Sequence, residues 1–419
     1  MDIIRERPTF QNAMKLTILI GQFFGLNPVH GITNIDTNKV RFSYISVRSI
    51  YSILTIVGQF VVFLLCTMYI IMFSDTSLHS ITPMVFGSSN CITTILFFRA
   101  AIKWPKLMNY ITKVETIYPN IDGAFVTKCN LSCIVVLTLA LVEHVLADFS
   151  KVIYVMDCPN DKFDTYGGFI MHSFPWIFTV VEYKTYLGIF VQFINIQCTF
   201  NWNFANLFVI CVSIYLTSRL EQVNRKILEA KGKFIPNSFW RNMREEYNRA
   251  TSLVRRLDDV IGGIIFISFA NNLFFICLQL LNTLADGIKA LPSCNNGDDK
   301  RPLKGYEQAV YFMYSFMFLV MRSLAVSLIA ARVYSASKKP AFALYEIPPS
   351  MHCTEVQRFL DQVHGESVAL SGLRFFQVKR GLVLTIAGTI VTYELVLLQF
   401  SSNDLFKSTS LLKQTPSFS

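Results

Sequence analysis

Charge is what this 419-residue sequence has least of: Asp, Glu, Lys and Arg make up 16% of it, against 52% hydrophobic residues and 37 Phe. A soluble domain carries about 25% charged residues, so a water-facing globular surface is excluded and an integral membrane protein is expected. No His/Cys cluster has zinc-ligand spacing, no Gly-rich loop follows a strand and no nucleophile elbow occurs. Neither a metal, a cofactor nor an enzyme activity is therefore expected. The net charge of +10 does not point to nucleic acid, because the basic residues cluster between long apolar stretches, as they do in cytoplasmic loops beside membrane lipid.

About 20 apolar residues are needed to cross roughly 30 Å of hydrocarbon. Seven segments satisfy this, at 46–73, 80–101, 129–156, 170–200, 259–284, 307–333 and 380–401, so the fold class is an all-α integral membrane protein of seven transmembrane helices. Most of the 38 Lys and Arg fall in 1–48, 99–128, 219–256 and 332–380. By the positive-inside rule the N-terminus is cytoplasmic and the C-terminus extracellular, with 402–419 an extracellular tail.

Sequence outside the spans is also patterned. Residues 1–45 form a cytoplasmic region whose apolar stretch, Leu16 to Leu26, is followed by no cleavage pattern and reads as an interfacial or docked helix. Charged helical sequence over 201–258 extends spans four and five beyond the bilayer. Within 334–379, residues 353–378 read as an amphipathic cytoplasmic anchor helix, with Val356, Phe359, Leu360, Val363 and Val368 on one face.

Cys158 and Cys294 both fall in extracellular loops, where they are either bridged or two unpaired thiols. The sequon Asn130-Leu131-Ser132 sits at the cytoplasmic start of span three and is expected to be unglycosylated.

Ionisable groups inside a bilayer are costly and mark function or buried pairing. Span three carries Glu143, His144, Asp148 and Lys151; spans four to six add Trp176, Tyr183, Lys184, Asn271, Gln279, Tyr311, Tyr314 and Arg322. Rings with hydroxyls, amides and carboxylates suit a small polar ligand in the outer half of the bundle, since sugar C–H faces stack on rings while hydroxyls need paired donors and acceptors. The ligand-binding set is Glu143, His144, Asp148, Trp176, Tyr183, Asn271, Gln279, Tyr311 and Tyr314. The plainer reading makes the same groups helix-to-helix ties, with Arg322 and Lys184 requiring buried counter-charges.

Span seven ends in TYELVLLQF, residues 392–400, after GLVLTIAGTIV. This stretch resembles the Thr-Tyr, five hydrophobic positions, Gln-Phe signature of insect gustatory receptors. FFGLNPVHGI, VEHVL, CTFNWNFANLFV, FANNLFFICLQLLN and VALSGLRFF resemble the sugar-sensing branch of that family, as does Glu394, so the resemblance covers nearly the whole chain. It implies a nonselective cation channel of four subunits, homotetramer or heteromer with related chains, in the plasma membrane of a taste neuron. It further implies gating by a mono- or disaccharide and a pore lined by the last span.

Thr392 and Gln399, seven residues apart, share a helix direction and are read as the pore face, with a hydrophobic gate at Leu395, Val396 and Phe400. Glu394 lies about 140° away from Gln399 around the helix and turns to its neighbours, where Arg322, Lys184 or a tyrosine hydroxyl is its partner. Two other classes remain open. A metabotropic seven-span receptor has the opposite orientation, and its Asp-Arg-Tyr and Asn-Pro-x-x-Tyr motifs are missing. A sugar/ion secondary transporter would show an internal repeat or matched Gly/Pro-broken spans, and neither is evident.

Overall fold

The computed structural model describes residues 8–34, 36, 39–74, 77–119, 121–159, 163–230, 235–286, 290, 293–294, 301–348, 352–393 and 396. Helix α1 (Phe10–Phe23) starts at Thr9, whose hydroxyl accepts from the Asn12 amide, and buries Phe10, Ala13, Met14 and Ile18. Those residues recur every three or four positions, so one face packs on two of the long helices and joins the main core. Of the two readings of this segment, the structure has the docked helix.

Among the described residues, six helices are long and apolar enough to cross a membrane: α2 (Val47–Phe73), α3 (Leu78–Ile117), α4 (Ala124–Asp157), α7 (Thr185–Ala230), α8 (Asn237–Asp286) and α9 (Glu307–Tyr345). The seventh segment is helical over α11 (Arg380–Tyr393), and its remainder at 394, 395 and 397–401 lies outside the described residues. Helix α7 is the hub, packed on α4, α8 and α9, with 89% of its most apolar stretch buried.

The expected span 170–200 is not one helix. It divides into α5 (Thr165–Ser173), α6 (Pro175–Phe178) and the start of α7. Pro175 lacks the N–H that would continue the ladder from α5, Phe174 leaves the helical region, and Pro175 takes the first position of a new helix, which suits it.

At the opposite end, α7 and α8 run on beyond their apolar parts. Helix α10 (Thr354–Gly365) lies against α8 and α9, burying Val356, Phe359, Leu360 and Val363. Lys338 Nζ donates to the carbonyls of Val363 (2.6 Å) and Glu366 (2.8 Å), placing a cation where the helix leaves acceptors unpaired.

The anchor helix does not reach 378. It stops at Gly365, Val368 is buried after the helix end, and strands β1 (Ser371–Gly372) and β2 (Phe376–Gln377) pair antiparallel. Asp258 of α8 takes the Ser371 amide and hydroxyl, each at 2.6 Å, and the Leu373 amide donates to Gly262 O at 3.2 Å. These bonds hold a turn in which Leu373 and Arg374 have positive φ (50° and 64°), so tertiary contacts override the helical pattern.

Candidate ligand cavity and pore helix

A cavity of about 410 Å³ opens between α2, α3, α4, the α5–α6 segment, α7, α8 and α9. That volume lies within the roughly 300–1,000 Å³ of small-molecule sites. Glu143, His144, Ala147, Asp148 and Lys151 reach it from α4 because their spacing puts them on one helix face.

One side of the cavity is aromatic. Trp202 and Phe275 stand 4.7 Å apart between ring centroids, Phe86 meets both edge-on at 6.1 Å, and Trp176 and Tyr311 also line the space. The other side is a hydrogen-bonded relay across three helices: Gln279 Nε2 donates to Ser315 Oγ (3.2 Å), and Ser315 Oγ donates to Glu143 Oε1 (2.5 Å). Gln192 Nε2 donates to Asp148 Oδ2 at 3.1 Å, while His144 Nε2 stands 3.5 Å from the same carboxylate.

Several polar atoms on the lining residues are left over. Ser173 Oγ, Trp202 Nε1 and Gln279 Oε1 are buried without a hydrogen-bond partner among the described residues. Buried polar atoms are nearly always satisfied, and each orphan costs about 1–3 kcal/mol. An indole N–H, a hydroxyl and an amide oxygen of this kind suit a ligand bearing several hydroxyls.

Six of the nine expected ligand residues line the cavity: Glu143, His144, Asp148, Trp176, Gln279 and Tyr311. Three do not. Tyr183 precedes α7 and packs edge-on against Phe163 and Phe178. Tyr314 spends its hydroxyl on the Leu139 carbonyl (3.0 Å), tying α9 to α4, and Asn271 is buried within the bundle away from the lining. Trp202, Phe86, Ser173 and Asn195 line it without being in the expected set. Trp202 had a signal in the sequence, a lone Trp among the asparagines of CTFNWNFANLFV.

Arg322, buried on α9, finds its environment in the bundle. It donates to Asn203 Oδ1, its guanidinium lies 4.5 Å from the Trp202 ring and 5.2 Å from that of Phe318, and Glu143 attracts it. Lys184 is exposed just before α7 and needs no counter-charge. On α11, Thr392 is exposed and bonds only to Gly388 O of its own helix (2.9 Å), and Val396 is exposed. Glu394, Leu395, Gln399 and Phe400 lie outside the described residues.

Cys158 and Cys294 are disulfide-bonded with Cα atoms 5.3 Å apart. Asp157 steadies this corner, accepting from Ser293 Oγ and the Cys294 amide at 3.1 Å and facing Arg301 at 3.8 Å. With both thiols in the bond, the Asp157, Cys158 and Cys294 group offers no thiolate to a metal.

The family described as "Trehalose receptor" matches residues 4–409. The chain is similar to the gustatory receptor for sugar taste 64f of Drosophila melanogaster, 35% identical over 405 residues, covering 95% of this chain and 82% of that one. It is also similar to gustatory receptor 5a for trehalose of the same organism, at 32% identity over 397 residues, covering 94% of this chain and 85% of the relative. Among solved structures, the insect olfactory receptor OR5 from Machilis hrabei in complex with eugenol shares the fold, with a TM-score of 0.63 at 16% identity over 92% of this chain and 97% of that one.

Proposed function

The chain belongs to the trehalose receptor family of insect gustatory receptors, and from that premise we propose that it is a sugar-gated, nonselective cation channel. It is a multi-pass membrane protein, placed by this reading in the plasma membrane of a sensory neuron, with seven spans, the N-terminus inside and the C-terminus outside. The observation that carries the ligand assignment is the set of partnerless buried polar atoms around the cavity, facing the rings of Trp176, Trp202 and Tyr311. A mono- or disaccharide hydroxyl satisfies such an atom, and a ring stacks on the sugar's C–H face.

The conduit is assigned to α11. A single apolar helix cannot enclose water, so several copies must ring an axis. Leu384, Val391 and Thr392 are exposed on the single chain, which suits burial against neighbouring copies. Four copies, identical or related, follow the family resemblance, with Thr392 and Gln399 toward sodium, potassium or calcium ions and Leu395, Val396 and Phe400 at the gate. Glu394 faces the neighbouring helices.

No residue of α11 lines the cavity, so ligand and gate communicate through an intermediary. Helix α8 is the candidate: Gln279 and Phe275 meet the cavity, while Asp258 and Gly262 on the same helix hold the hairpin that leads into α11. A sugar opens the pore only if it binds the open arrangement more tightly than the closed one.

Whole-cell recording with a panel of sugars, trehalose included, tests the reading. A sugar-evoked cation current that survives blockade of G proteins is the expected result. Saturable sugar uptake without current would make the chain a transporter, and a current abolished by the blockade would make it a metabotropic receptor.

A further inference from the structure

A second cavity, of about 230 Å³, lies between α4, α7, α9 and the start of α11, far along these helices from the ligand cavity. Four cationic side chains line it: Lys128 near the start of α4, Arg332 and Lys339 on the last third of α9, and Arg380 as the first residue of α11. Among the described residues the single acidic one in the lining is Glu221, which pairs with Lys339 at 3.3 Å. Lys128, Arg332 and Arg380 have no ion pair with any described residue, so three positive charges converge on the space uncompensated.

Like charges gathered without counter-charge repel one another, and the cost falls when an anion joins them. The Thr217 hydroxyl on the wall of this cavity is also buried without a hydrogen-bond partner among the described residues. Basic pockets between membrane helices on the cytoplasmic side hold phosphate head groups, and Arg presents paired donors that match phosphate oxygens.

We propose that this cavity is a binding site for a phosphate-bearing anion at the inner face of the membrane. Lys128, Arg332 and Arg380 supply the charge and Thr217 the hydroxyl donor. Arg380 opens α11, and a helix N-terminus itself attracts anions. The bound anion therefore clasps the first turn of α11 to α4 and α9.

Two sources supply the same chemistry, an anionic lipid head group and a soluble phosphate. The purified full-length protein is presented with phosphatidylcholine vesicles containing or lacking phosphatidylinositol bisphosphate, and separately with inorganic phosphate. Retained lipid is read by native mass spectrometry and phosphate by thermal shift. Retention from the anionic vesicles alone supports the site with lipid as its source, and a thermal shift with inorganic phosphate alone supports it with a soluble source.

The triple variant Lys128→Gln, Arg332→Gln, Arg380→Gln should bind about a hundredfold more weakly, at about fivefold per basic residue. The milder Thr217→Val should weaken binding without removing charge, which keeps the test available if the triple variant fails to fold. Lys103→Gln with Arg241→Gln, both exposed elsewhere, controls for general charge loss. Binding by neither probe, or binding equal in wild type, triple variant and Thr217→Val, overturns the proposal.

Discussion

Asp258 and Ser371 are joined by two hydrogen bonds, the carboxylate accepting both the amide and the hydroxyl of the serine at 2.6 Å. Asp258 belongs to α8, and 21 residues farther along the same helix Gln279 lines the ligand cavity. At 1.5 Å per residue the two points are about 32 Å apart on one continuous rod. A small tilt of α8 at the cavity therefore moves the hairpin, and with it the root of α11.

Breaking that joint should uncouple binding from opening. Asp258→Asn and Ser371→Ala are each expected to lower the maximal sugar-evoked current while leaving the half-maximal concentration within about twofold. Each removes a charge-assisted bond of about 1.5–3 kcal/mol. Because the two groups act as one unit, the double variant should be no worse than the more severe single one. Dose–response curves normalised to surface protein are the check, and additive losses would separate the two residues.

Within the cavity, Ser315→Ala and Glu143→Gln should raise the half-maximal sugar concentration about tenfold, the equivalent of one or two hydrogen bonds. Trp202→Ala should do at least as much, by removing a stacking face and leaving Arg322 only the Phe318 ring. Unchanged potency in all three at normal surface expression would move the ligand elsewhere.

Tyr314→Phe and Asn271→Ala make the contrasting case. Neither residue lines the cavity, and the Tyr314 hydroxyl is engaged with Leu139 O. Potency should stay within about twofold of wild type, while surface protein falls for Tyr314→Phe by roughly the worth of one hydrogen bond, about 1 kcal/mol. A tenfold potency loss in either would place it against the sugar after all.

The docking of α10 should depend on pH through Glu355. Partial burial pulls its carboxyl upward, but hydrogen bonds from Arg244 and Arg358 and the charges of both outweigh this, and the group ends below its ordinary 4.5. A depressed carboxyl adds stability that is complete above 4.5 and is lost as pH falls through the lower folded value. Amide exchange of 354–365 should stay slow down to pH 5 and quicken only below the ordinary carboxylate range. In Glu355→Gln that acid-induced step should vanish.

Removing the Cys158–Cys294 bridge should act on stability alone. Cys158→Ser opens a closure spanning 136 residues, and losses of about 2–5 kcal/mol are usual for native disulfides. Surface biotinylation should report less protein, with potency of the surviving receptors unchanged because neither cysteine lines the cavity. A reduced and an unreduced sample with equal gel mobility would show that the bond does not form in cells.

Much of the fold was legible because hydropathy and 3.6-residue periodicity are local signals. They marked the six long helices, the continuation of α7 and α8 beyond their apolar parts, and the buried face of α10. The 170–200 segment misled because apolar composition is continuous through Pro175, while the break depends on one missing amide. The hairpin at 371–377 was hidden for a different reason. Its apolar residues keep a helical spacing, and only Asp258 and Gly262, more than 100 positions away, select the strands.

The cavity was half legible for a similar reason. Residues on α4 could be grouped by face, since spacing alone sets their direction. Which faces of α7, α8 and α9 meet them depends on how each long helix is rotated in the bundle. That rotation admitted Trp202 and Ser315, sent Asn271 elsewhere and turned Tyr314 to a backbone carbonyl.

Helix α7 carries a consequence for how the chain is made. Gln197, Asn201, Asn203 and Asn206 are all buried in it, and they bond to Tyr51, Thr94, Arg322, Ser268 and Asn272 on four other helices. Alone in hydrocarbon, those amides would lose their partners on other helices, Asn203 and Asn206 keeping only bonds to carbonyls of α7 itself, and α7 would leave the insertion machinery poorly suited to lipid. Its arrival must therefore be cooperative, held near α2 and α3 already in place until α8 and α9 emerge from the ribosome. A receptor truncated after α7 is thus expected to be retained and degraded at its site of synthesis rather than delivered to the cell surface.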